Sequence, residues 1–344
     1  DELKCLNNLK GGLELVLRSD FEYGWADDKL RSYVTGAASL QGKGKLVSLE
    51  IYLGHRQSKE KSKIVLEGLQ PHSNLRQLKI RGYKGERLPS WMMSWGRLPY
   101  NSLPNLVEIT LSGFQNCRYL SSFGRLPHLK VFTIFNMEQL EYVENTSTAA
   151  GSLSHPSLSH PLATASPPNP LFPSLEYLAL ELMPKLKGWR KMMCTSSTSS
   201  SSSEEESQVL QSCCYYSAFP RLKELVFSAV GLEFVPEEFR DLPALESLCL
   251  DFCSQLTEVP EWIDTLTSLK KLEIESCYTL KSLPKQMANL SNLDYLEILD
   301  CPILKERCEK PTGEDWRLIQ HVPRVRIGRN EYQASSSPTT TLCL

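Results

Sequence analysis

The sequence predicts an α/β repeat solenoid, because one spacing of apolar residues recurs along the chain at a fixed interval. The clearest copies begin at Leu245, Leu269 and Leu293, and each reads L-x-x-L-x-[LI]-x-x-C-x-x-L. Every position of this pattern returns 24 residues later. A unit this short is one supersecondary element that cannot bury its own apolar face, so successive units must stack.

A relaxed pattern, with apolar residues at i, i+3 and i+5, extends the array toward both ends. A degenerate first unit is centred on Leu13 and Leu15 in the run GGLELVL. Further units begin at Leu46, Leu75, Leu106, Leu129, Leu175, Leu222 and Val322. The starts are unevenly spaced before Leu222, so we expect a regular C-terminal part and a more irregular N-terminal part.

Each unit predicts a strand, a turn and a loose return segment. The L-x-[LI] core alternates apolar and polar residues, which is typical of a strand with one buried face. The strands would pair in parallel, and a Val-Pro or Leu-Pro pair would begin an irregular, 3-10 or short helical segment on the convex side. This is the leucine-rich-repeat horseshoe, with its parallel strands on the concave face.

The cysteine at i+8 of the regular units marks the point where the chain leaves the strand. Leucine-rich repeats place a buried Asn or Cys there, which hydrogen-bonds backbone groups of the turn. Cys253, Cys277 and Cys301 are therefore predicted to form a structural ladder. A metal or redox role is the weaker alternative, because the chain has no CxxC pair with a matching second pair.

Two insertions interrupt the array, and a cap closes it. We expect the solenoid to cover residues 1–330, with loops at about 144–170 and 191–217. The first loop contains the duplication SLSHPSLSHP, and the second contains a serine run followed by glutamates, which favours a solvated loop over a phosphorylation site. We expect residues from about 301 to 328 to cap the last unit, with a helix starting at Thr312 and Asp315. Residues 331–344 would be a disordered tail.

Composition limits the classes of function. Of 344 residues, 41% are hydrophobic and 23% are charged, no apolar run is long enough to span a bilayer, and a net charge of −2 disfavours general nucleic-acid binding. The odd count of 11 cysteines and the absence of a signal-like start favour a reducing compartment. The chain begins without Met, as expected of a piece of a longer protein.

Charge is distributed unevenly along the chain. From Lys43 to Arg97 there are 12 basic and 4 acidic residues, whereas from Ser200 to Lys310 there are 10 basic and 20 acidic residues. We expect one sign of charge at each end of the concave face, an arrangement that would orient and steer a protein partner.

The sequence points to a binding surface and not to an enzyme. No phosphate-binding loop, G-x-S-x-G turn or H-E-x-x-H pair occurs in it, and its six histidines are scattered. We therefore expect no metal or other cofactor in this chain. The residues between the inward-facing leucines form the candidate protein-binding face. They are Lys79, Arg81, Glu108, Thr110, Phe135, Tyr177, Glu181, Asp251, Glu273, Glu275, Tyr295 and Glu297.

Three segments carry motifs that occur together in one family. The run VLEGLQPHSNLRQLKIRGYKGERLPSWM (Val65–Met92) resembles an L-x-P-H-x-N-L…Y-x-G…P-x-W signature. Leu103–Val143 is similar to the two repeats that follow this signature, and Cys301–Gly328 resembles the family's C-terminus. The family is that of plant intracellular disease-resistance proteins of the coiled-coil, nucleotide-binding, leucine-rich-repeat class. One departure is Cys117, which falls at i+11 and not at i+8 of its unit.

The resemblance implies a role in plant innate immunity, as the region that recognises a pathogen effector or a guarded host protein. It also implies that the region restrains a nucleotide-binding switch domain, and that ADP or ATP binds only in that domain, outside this chain. We expect the basic residues Lys79, Arg81, Lys84 and Arg87 to dock the switch domain. The acidic end, with Tyr177, Tyr295 and Trp262, would face the ligand.

The expected location is cytoplasmic, and nuclear or membrane association through partners stays open. Two alternatives are an extracellular leucine-rich-repeat receptor ectodomain and a substrate adaptor for ubiquitin ligation. The ectodomain would show G-x-I-P in each unit, paired cysteine caps and frequent glycosylation sequons, and here only Asn145 and Asn289 stand in N-x-[ST]. The adaptor would carry a helical adaptor-binding module.

Overall fold

The predicted solenoid is present in the structure, a computed structural model that describes residues 8–17, 26–36, 39–54, 58–93, 103–120, 123–145, 171–191 and 218–333. The strands of these residues are β1 Gly11–Leu17, β2 Leu46–Leu53, β3 Gln77–Arg81, β4 Glu108–Ser112, β5 Tyr119–Leu120, β6 Val131–Phe135, β7 Tyr142–Asn145, β8 Tyr177–Met183, β9 Gly188–Lys191, β10 Glu224–Val230, β11 Ser247–Asp251, β12 Lys271–Glu275, β13 Tyr295–Leu299, β14 Arg324–Ile327 and β15 Asn330–Gln333.

Twelve of these strands form one sheet, in the order β1-β2-β3-β4-β6-β8-β10-β11-β12-β13-β14-β15. All neighbours in it pair in parallel except β14 and β15, which pair antiparallel. The repeat fixes the register, because Leu248 pairs with Leu272, and Leu272 with Leu296. These leucines are at most 2% exposed, so each unit adds one layer to a continuous apolar core.

Helical segments occupy the return side of the units. The α-helices are α1 Asp27–Thr35, α2 Lys59–Gly68, α3 Ser90–Met93, α4 Pro302–Cys308 and α5 Trp316–Ile319, and the 3-10 helices are η1 Glu237–Phe239, η2 Glu261–Thr265 and η3 Lys285–Asn289. Each 3-10 helix follows a proline, which presets the backbone at its start. The sequence predicted this mixed convex side, but it did not place α1 or α2.

One backbone position has the same left-handed conformation in eight consecutive units. It lies seven residues after the unit start, and it is occupied by Gly82, Gly113, Asn136, Leu182, Ala229, Phe252, Ser276 and Asp300. In several units its N–H donates to a strand carbonyl of the next unit, as Phe252 does to Glu275 at 3.0 Å. The left-handed turn therefore links adjacent units, and it is occupied even by residues that adopt it at a cost.

A second sheet follows the turn in three successive units. It consists of β5, β7 and β9, which pair in parallel. The amino-acid sequence does not predict this sheet, because its strands have two to four residues and no distinctive apolar alternation.

Stacked aromatic rings fill the interior where the units are longest. Phe219 lies between Phe172 and Phe239, with ring centroids 5.1 and 5.3 Å away. Trp189 meets all three rings edge-on at 5.3–5.7 Å. Each of these side chains is at most 1% exposed, so large rings take the volume that leucines fill in the regular units.

Tyr83 and Trp91 of the Val65–Met92 segment each make a side-chain hydrogen bond to the backbone. The Tyr83 hydroxyl donates to the Arg87 carbonyl at 2.6 Å, and the Trp91 indole donates to the Leu66 carbonyl at 2.9 Å. Both rings are nearly buried, at 2% and 4% exposure. This part of the motif therefore has a structural role, because Tyr83 closes the loop after β3 and Trp91 joins α3 to α2.

The C-terminal cap differs from the prediction in how its helix begins. Asp315 precedes α5, but its carboxylate makes no cap hydrogen bond to that helix. It accepts instead from Arg307 at 2.8 and 2.9 Å and from the Leu283 backbone N–H at 3.0 Å. The predicted helix is present but begins after Asp315 and not at Thr312, and the Asp315 carboxylate connects the cap to the preceding repeat instead of capping the helix.

The predicted boundaries need two adjustments. Residues 331–333, which the sequence placed in a disordered tail, form β15 with Asn330, and 334–344 lie outside the described residues. Residues 144–145 and 191 belong to β7 and β9 and not to the insertions. Residues 146–170 and 192–217, with the duplicated His155 and His160 and the serine run, also lie outside the described residues.

Candidate protein-binding surface

The outward side chains of the sheet form three parallel rows, because each strand presents alternate residues to one face. The first row holds Gln77, Glu108, Val131, Tyr177, Glu224, Ser247, Lys271, Tyr295 and Arg324. The middle row holds Lys79, Thr110, Thr133, Ala179, Val226, Cys249, Glu273, Glu297 and Arg326. The last row holds Arg81, Ser112, Phe135, Glu181, Ser228, Asp251, Glu275 and Leu299.

All twelve residues of the predicted face fall in these rows, and none of them is buried. The middle row is uncharged in the central part of the face, whereas Glu224 and Glu181 stand in the outer rows beside it. Its middle row consists of the small residues Thr110, Thr133, Ala179, Val226 and Cys249. Tyr177 and Phe135, both half-buried, flank this row on its two sides. We call these seven residues the central patch; Ala179 is fully buried, and the other six offer apolar, thiol and hydroxyl contacts without charge.

The N-terminal end is not a free basic surface, contrary to the expectation from sequence. Lys79 Nζ lies 3.1 Å from Glu108 Oε1, and Arg81 Nε lies 2.9 Å from Glu50 Oε1. Both acids stand on adjacent strands, so each cation is offset by a carboxylate of the face itself. Lys84 and Arg87 follow β3 and lie outside the three rows.

The C-terminal end is also mostly neutralised. Lys271 Nζ lies 2.8 Å from Glu273 Oε1, and Arg326 Nη1 lies 2.7 Å from Glu297 Oε1. Tyr295 stands between cations, with the Arg324 guanidinium 5.4 Å and the Lys271 ammonium 5.9 Å from its ring centre. The expected separation of one sign of charge at each end is therefore wrong for the concave face.

Four carboxylates of the outer rows, those of Glu181, Glu224, Asp251 and Glu275, make no ion pair with any described residue. Asp251 Oδ2 accepts from Ser228 Oγ at 2.8 Å, and its Oδ1 is buried without a hydrogen bond. On the next strand, loss of solvent and the nearby Asp251 carboxylate raise the pKa of Glu275. Glu181, Glu224, Asp251 and Glu275 are therefore the negative positions of the face that no described cation neutralises.

The edge where the chain enters the strands carries charges of alternating sign. Glu176 accepts from Lys130 at 2.8 Å and from Lys223 at 3.0 Å, and Lys270 lies 2.9 Å from Glu246. The two hydrogen bonds lower the pKa of Glu176 to about 2. These exposed pairs set the polarity of the edge and contribute little to stability.

The cysteine ladder lies behind the face, in the turns. Cys277 Sγ lies 3.3 Å from the Glu275 carbonyl and 3.5 Å from the Leu250 carbonyl, and Cys301 Sγ lies 3.1 Å from the Leu299 carbonyl. Cys253, Cys277 and Cys301 are at most 1% exposed. Hydrogen bonding to Cys253, together with burial, raises the pKa of the Cys277 thiol to about 12, so this thiol is neutral at physiological pH.

Trp262 lies away from the face on which the sequence placed it. Its ring is in η2, at 9% exposure, and its indole N–H donates to Glu237 Oε1 at 3.0 Å. Within the described residues there is no group of three or more His, Cys, Asp or Glu side chains that could hold a metal ion. Nor does any helix in that part of the chain have the length and apolar character needed to cross a membrane.

The sheet, the stacked units and the open three-row face define a leucine-rich-repeat protein. Residues 1–137 match the family described as R13L1/DRL21 LRRs. The chain is 37% identical over 325 residues to disease resistance protein RGA2 of Solanum bulbocastanum, covering 84% of this chain and 31% of that protein. It is 35% identical over 160 residues to putative disease resistance protein RGA1 of the same species, covering 45% of this chain and 13% of the relative.

A putative disease resistance RPP13-like protein 1 of Arabidopsis thaliana matches over 79 residues at 37% identity, covering 23% of this chain and 7% of that protein. The chain belongs to the leucine-rich-repeat regions of plant disease resistance proteins, as its motifs predicted. It spans about a third of the length of RGA2.

Among solved structures, the leucine-rich-repeat domain of the type III effector XopL superposes with a TM-score of 0.50 at 17% identity. The match covers 78% of this chain and 71% of that one. This likeness supports the fold alone.

Proposed function

We propose that this chain is the recognition region of a plant immune receptor, and that its concave face binds a pathogen effector or a host protein that an effector modifies. The observation that carries the proposal is the match to RGA2 across 84% of the chain, in a structure whose sheet leaves a continuous face open. A concave face built from successive parallel strands is the usual binding surface of solenoid proteins.

The central patch is the contact region that we assign to the ligand. Its uncharged side chains lose little hydration energy when they are covered, and Tyr177 and Phe135 offer large contact areas. The paired charges at both ends form a polar rim, and the carboxylates without an ion pair, those of Glu181, Glu224, Asp251 and Glu275, would select a partner with a basic contact residue.

We further propose that the region works inside the cell and restrains a nucleotide-binding switch domain carried elsewhere in the same protein. ADP or ATP would bind to that domain and not to this chain. The cysteines described by the structure, Cys117, Cys249, Cys253, Cys277, Cys301 and Cys308, are all unpaired, which fits a reducing compartment better than an extracellular one.

Expression in leaves tests recognition. The protein that carries this chain would be produced together with individual pathogen effectors, and cell death would be scored. In the double variant Thr133→Arg/Val226→Arg, two long cations replace central patch side chains, so the response to a matching effector is expected to fall at least tenfold at equal protein level. The control, Lys187→Glu, changes an exposed residue outside the three rows and should leave the response intact. A full response from the double variant would contradict the assignment.

A further inference from the structure

A cleft of about 590 Å³ lies on the return side of the solenoid, between η1 and η2. None of its lining residues is in a strand, so it is separate from the concave rows. Its walls hold the exposed ring of Phe234, the Trp262 ring and four acids, Glu237, Glu258, Glu261 and Asp264, against one cation, Arg240. A concave surface of this size accommodates one or two side chains of a peptide.

One side of the cleft is open to solvent, and hydrogen bonds and an ion pair hold the other side. Glu237 accepts from the Trp262 indole at 3.0 Å and lies 3.8 Å from Arg240, and Asp264 accepts from Asn289 at 2.9 Å. By contrast, Glu258 and Glu261 are exposed and make no ion pair with any described residue. Two of the four carboxylates hold the walls together, and the other two remain available to a cation.

The repeat supplies an internal comparison, because the next unit offers the same positions 24 residues later. Phe234 corresponds to Glu258 and then to Ser282, and Glu261 corresponds to Lys285. The fold therefore requires neither an aromatic ring nor an acid at these positions. Phe234 is nevertheless 55% exposed, which leaves the most accessible aromatic ring of the cleft beside its unpaired acids.

We propose that this cleft binds a cationic segment of a partner protein, with an arginine or lysine side chain lying on Phe234 and its charge between Glu258 and Glu261. Charge complementarity selects this occupant, since the lining carries four acids and one base. An aromatic face attracts a cation in the same geometry, and the aliphatic stem of arginine or lysine covers the ring. The site is additional to the concave face and does not depend on the function proposed for it.

Fluorescence anisotropy of a labelled, capped tetra-arginine peptide with the 344-residue chain tests the proposal. We expect saturable binding in 0.1 M salt that weakens as salt rises. Glu258→Lys/Glu261→Lys should weaken it about tenfold, and Phe234→Ser should weaken it about threefold. A matched reversal in the cap, Glu306→Lys/Glu309→Lys, and loss of another exposed ring, Tyr278→Ser, should leave binding unchanged.

Three results would overturn the proposal. One is no measurable binding by the wild-type chain. Another is equal weakening by the cap reversal, which would indicate diffuse attraction. The third is loss of binding in Asp251→Lys/Glu275→Lys with the cleft variants unaffected, which would assign the peptide to the concave face. If the double reversal fails to fold by circular dichroism, Glu258→Gln/Glu261→Gln removes the charges without repulsion and should still weaken binding severalfold.

Discussion

At the residue scale, the backbone is left-handed at the position seven residues into each unit, although several of the residues found there do not favour that conformation. Gly82 and Gly113 adopt this conformation without a steric penalty, and Asn136 adopts it more readily than most residues. Ala229, with φ of 52°, has no such advantage, and neither have Leu182 and Phe252. The glycines and Asn136 could have revealed the position from sequence. Leu182 and Phe252 could not, because nothing local favours a left-handed Leu or Phe.

Replacing Ala229 with glycine should therefore stabilise the protein. A left-handed non-glycine residue costs about 1–2 kcal/mol, and the added freedom of glycine in the unfolded chain offsets part of the gain, which leaves about 0.5–1 kcal/mol. The same substitution at Ala179, a fully buried strand residue with an ordinary backbone, should cost about 1 kcal/mol. Thermal unfolding of both variants measures the difference, and a lower Tm for Ala229→Gly than for the wild type would refute it.

At the element scale, the regular units were predictable and the connections between elements were not. The spacing from Leu245 to Leu304 located β11, β12 and β13 and the turn cysteines, because period and burial coincide there. The cap was located but its anchoring was misassigned. A local pattern suggested that the Thr312 and Asp315 side chains cap a helix. The helix begins after Asp315, and the Asp315 carboxylate accepts instead from Arg307 and from Leu283, the latter 32 residues away.

Removing the Asp315 carboxylate should loosen the cap. Asp315 is 4% exposed, and Asp315→Ala leaves the Leu283 N–H and the Nε and Nη2 atoms of Arg307 without their acceptor. The Arg307 side chain is 32% exposed and regains some water, so we expect a loss of about 2–3 kcal/mol, less than for a fully buried pair. Urea unfolding followed by tryptophan fluorescence, with Trp316 in the cap, reports the change.

Glu314 provides the matched control. It pairs with the same Arg307 but is 75% exposed, so Glu314→Ala should cost less than about 1 kcal/mol. Equal losses from the two variants would show that the buried position of Asp315 has no special importance.

At the scale of the whole molecule, the charge imbalance of the sequence does not appear as two charged ends of the concave face. Lys79 and Arg81 are offset by Glu108 and Glu50, and Glu273 and Glu297 by Lys271 and Arg326. Much of the remaining acid lies on the return side, around η1 and η2. A count along the chain could not show this, because partners on neighbouring strands are separated by a whole unit.

The proposed restraint of a switch domain gives a prediction for the full-length receptor. Lys79→Glu/Arg81→Glu replaces two cations at the N-terminal end of the face with anions, which should repel an acidic docking surface and raise signalling without an effector severalfold. Cell death in leaves that lack pathogen effectors measures this. Glu50→Gln/Glu108→Gln frees the same two cations and should leave the restraint intact or strengthen it. Unchanged basal signalling in the reversed variant would contradict docking at this end.

The sequence by itself determined the array, because each short unit has to bury its leucines against the next and the period therefore implies stacked parallel strands. It also determined which residues face outward, since side chains alternate along a strand. Only the tertiary structure decided which of the outward charges remain available, where the second sheet forms and how η1 and η2 enclose a cleft. The physical reason is that these features depend on contacts between residues about one unit apart or more, and such contacts are fixed by the register and spacing of whole units and not by any local pattern.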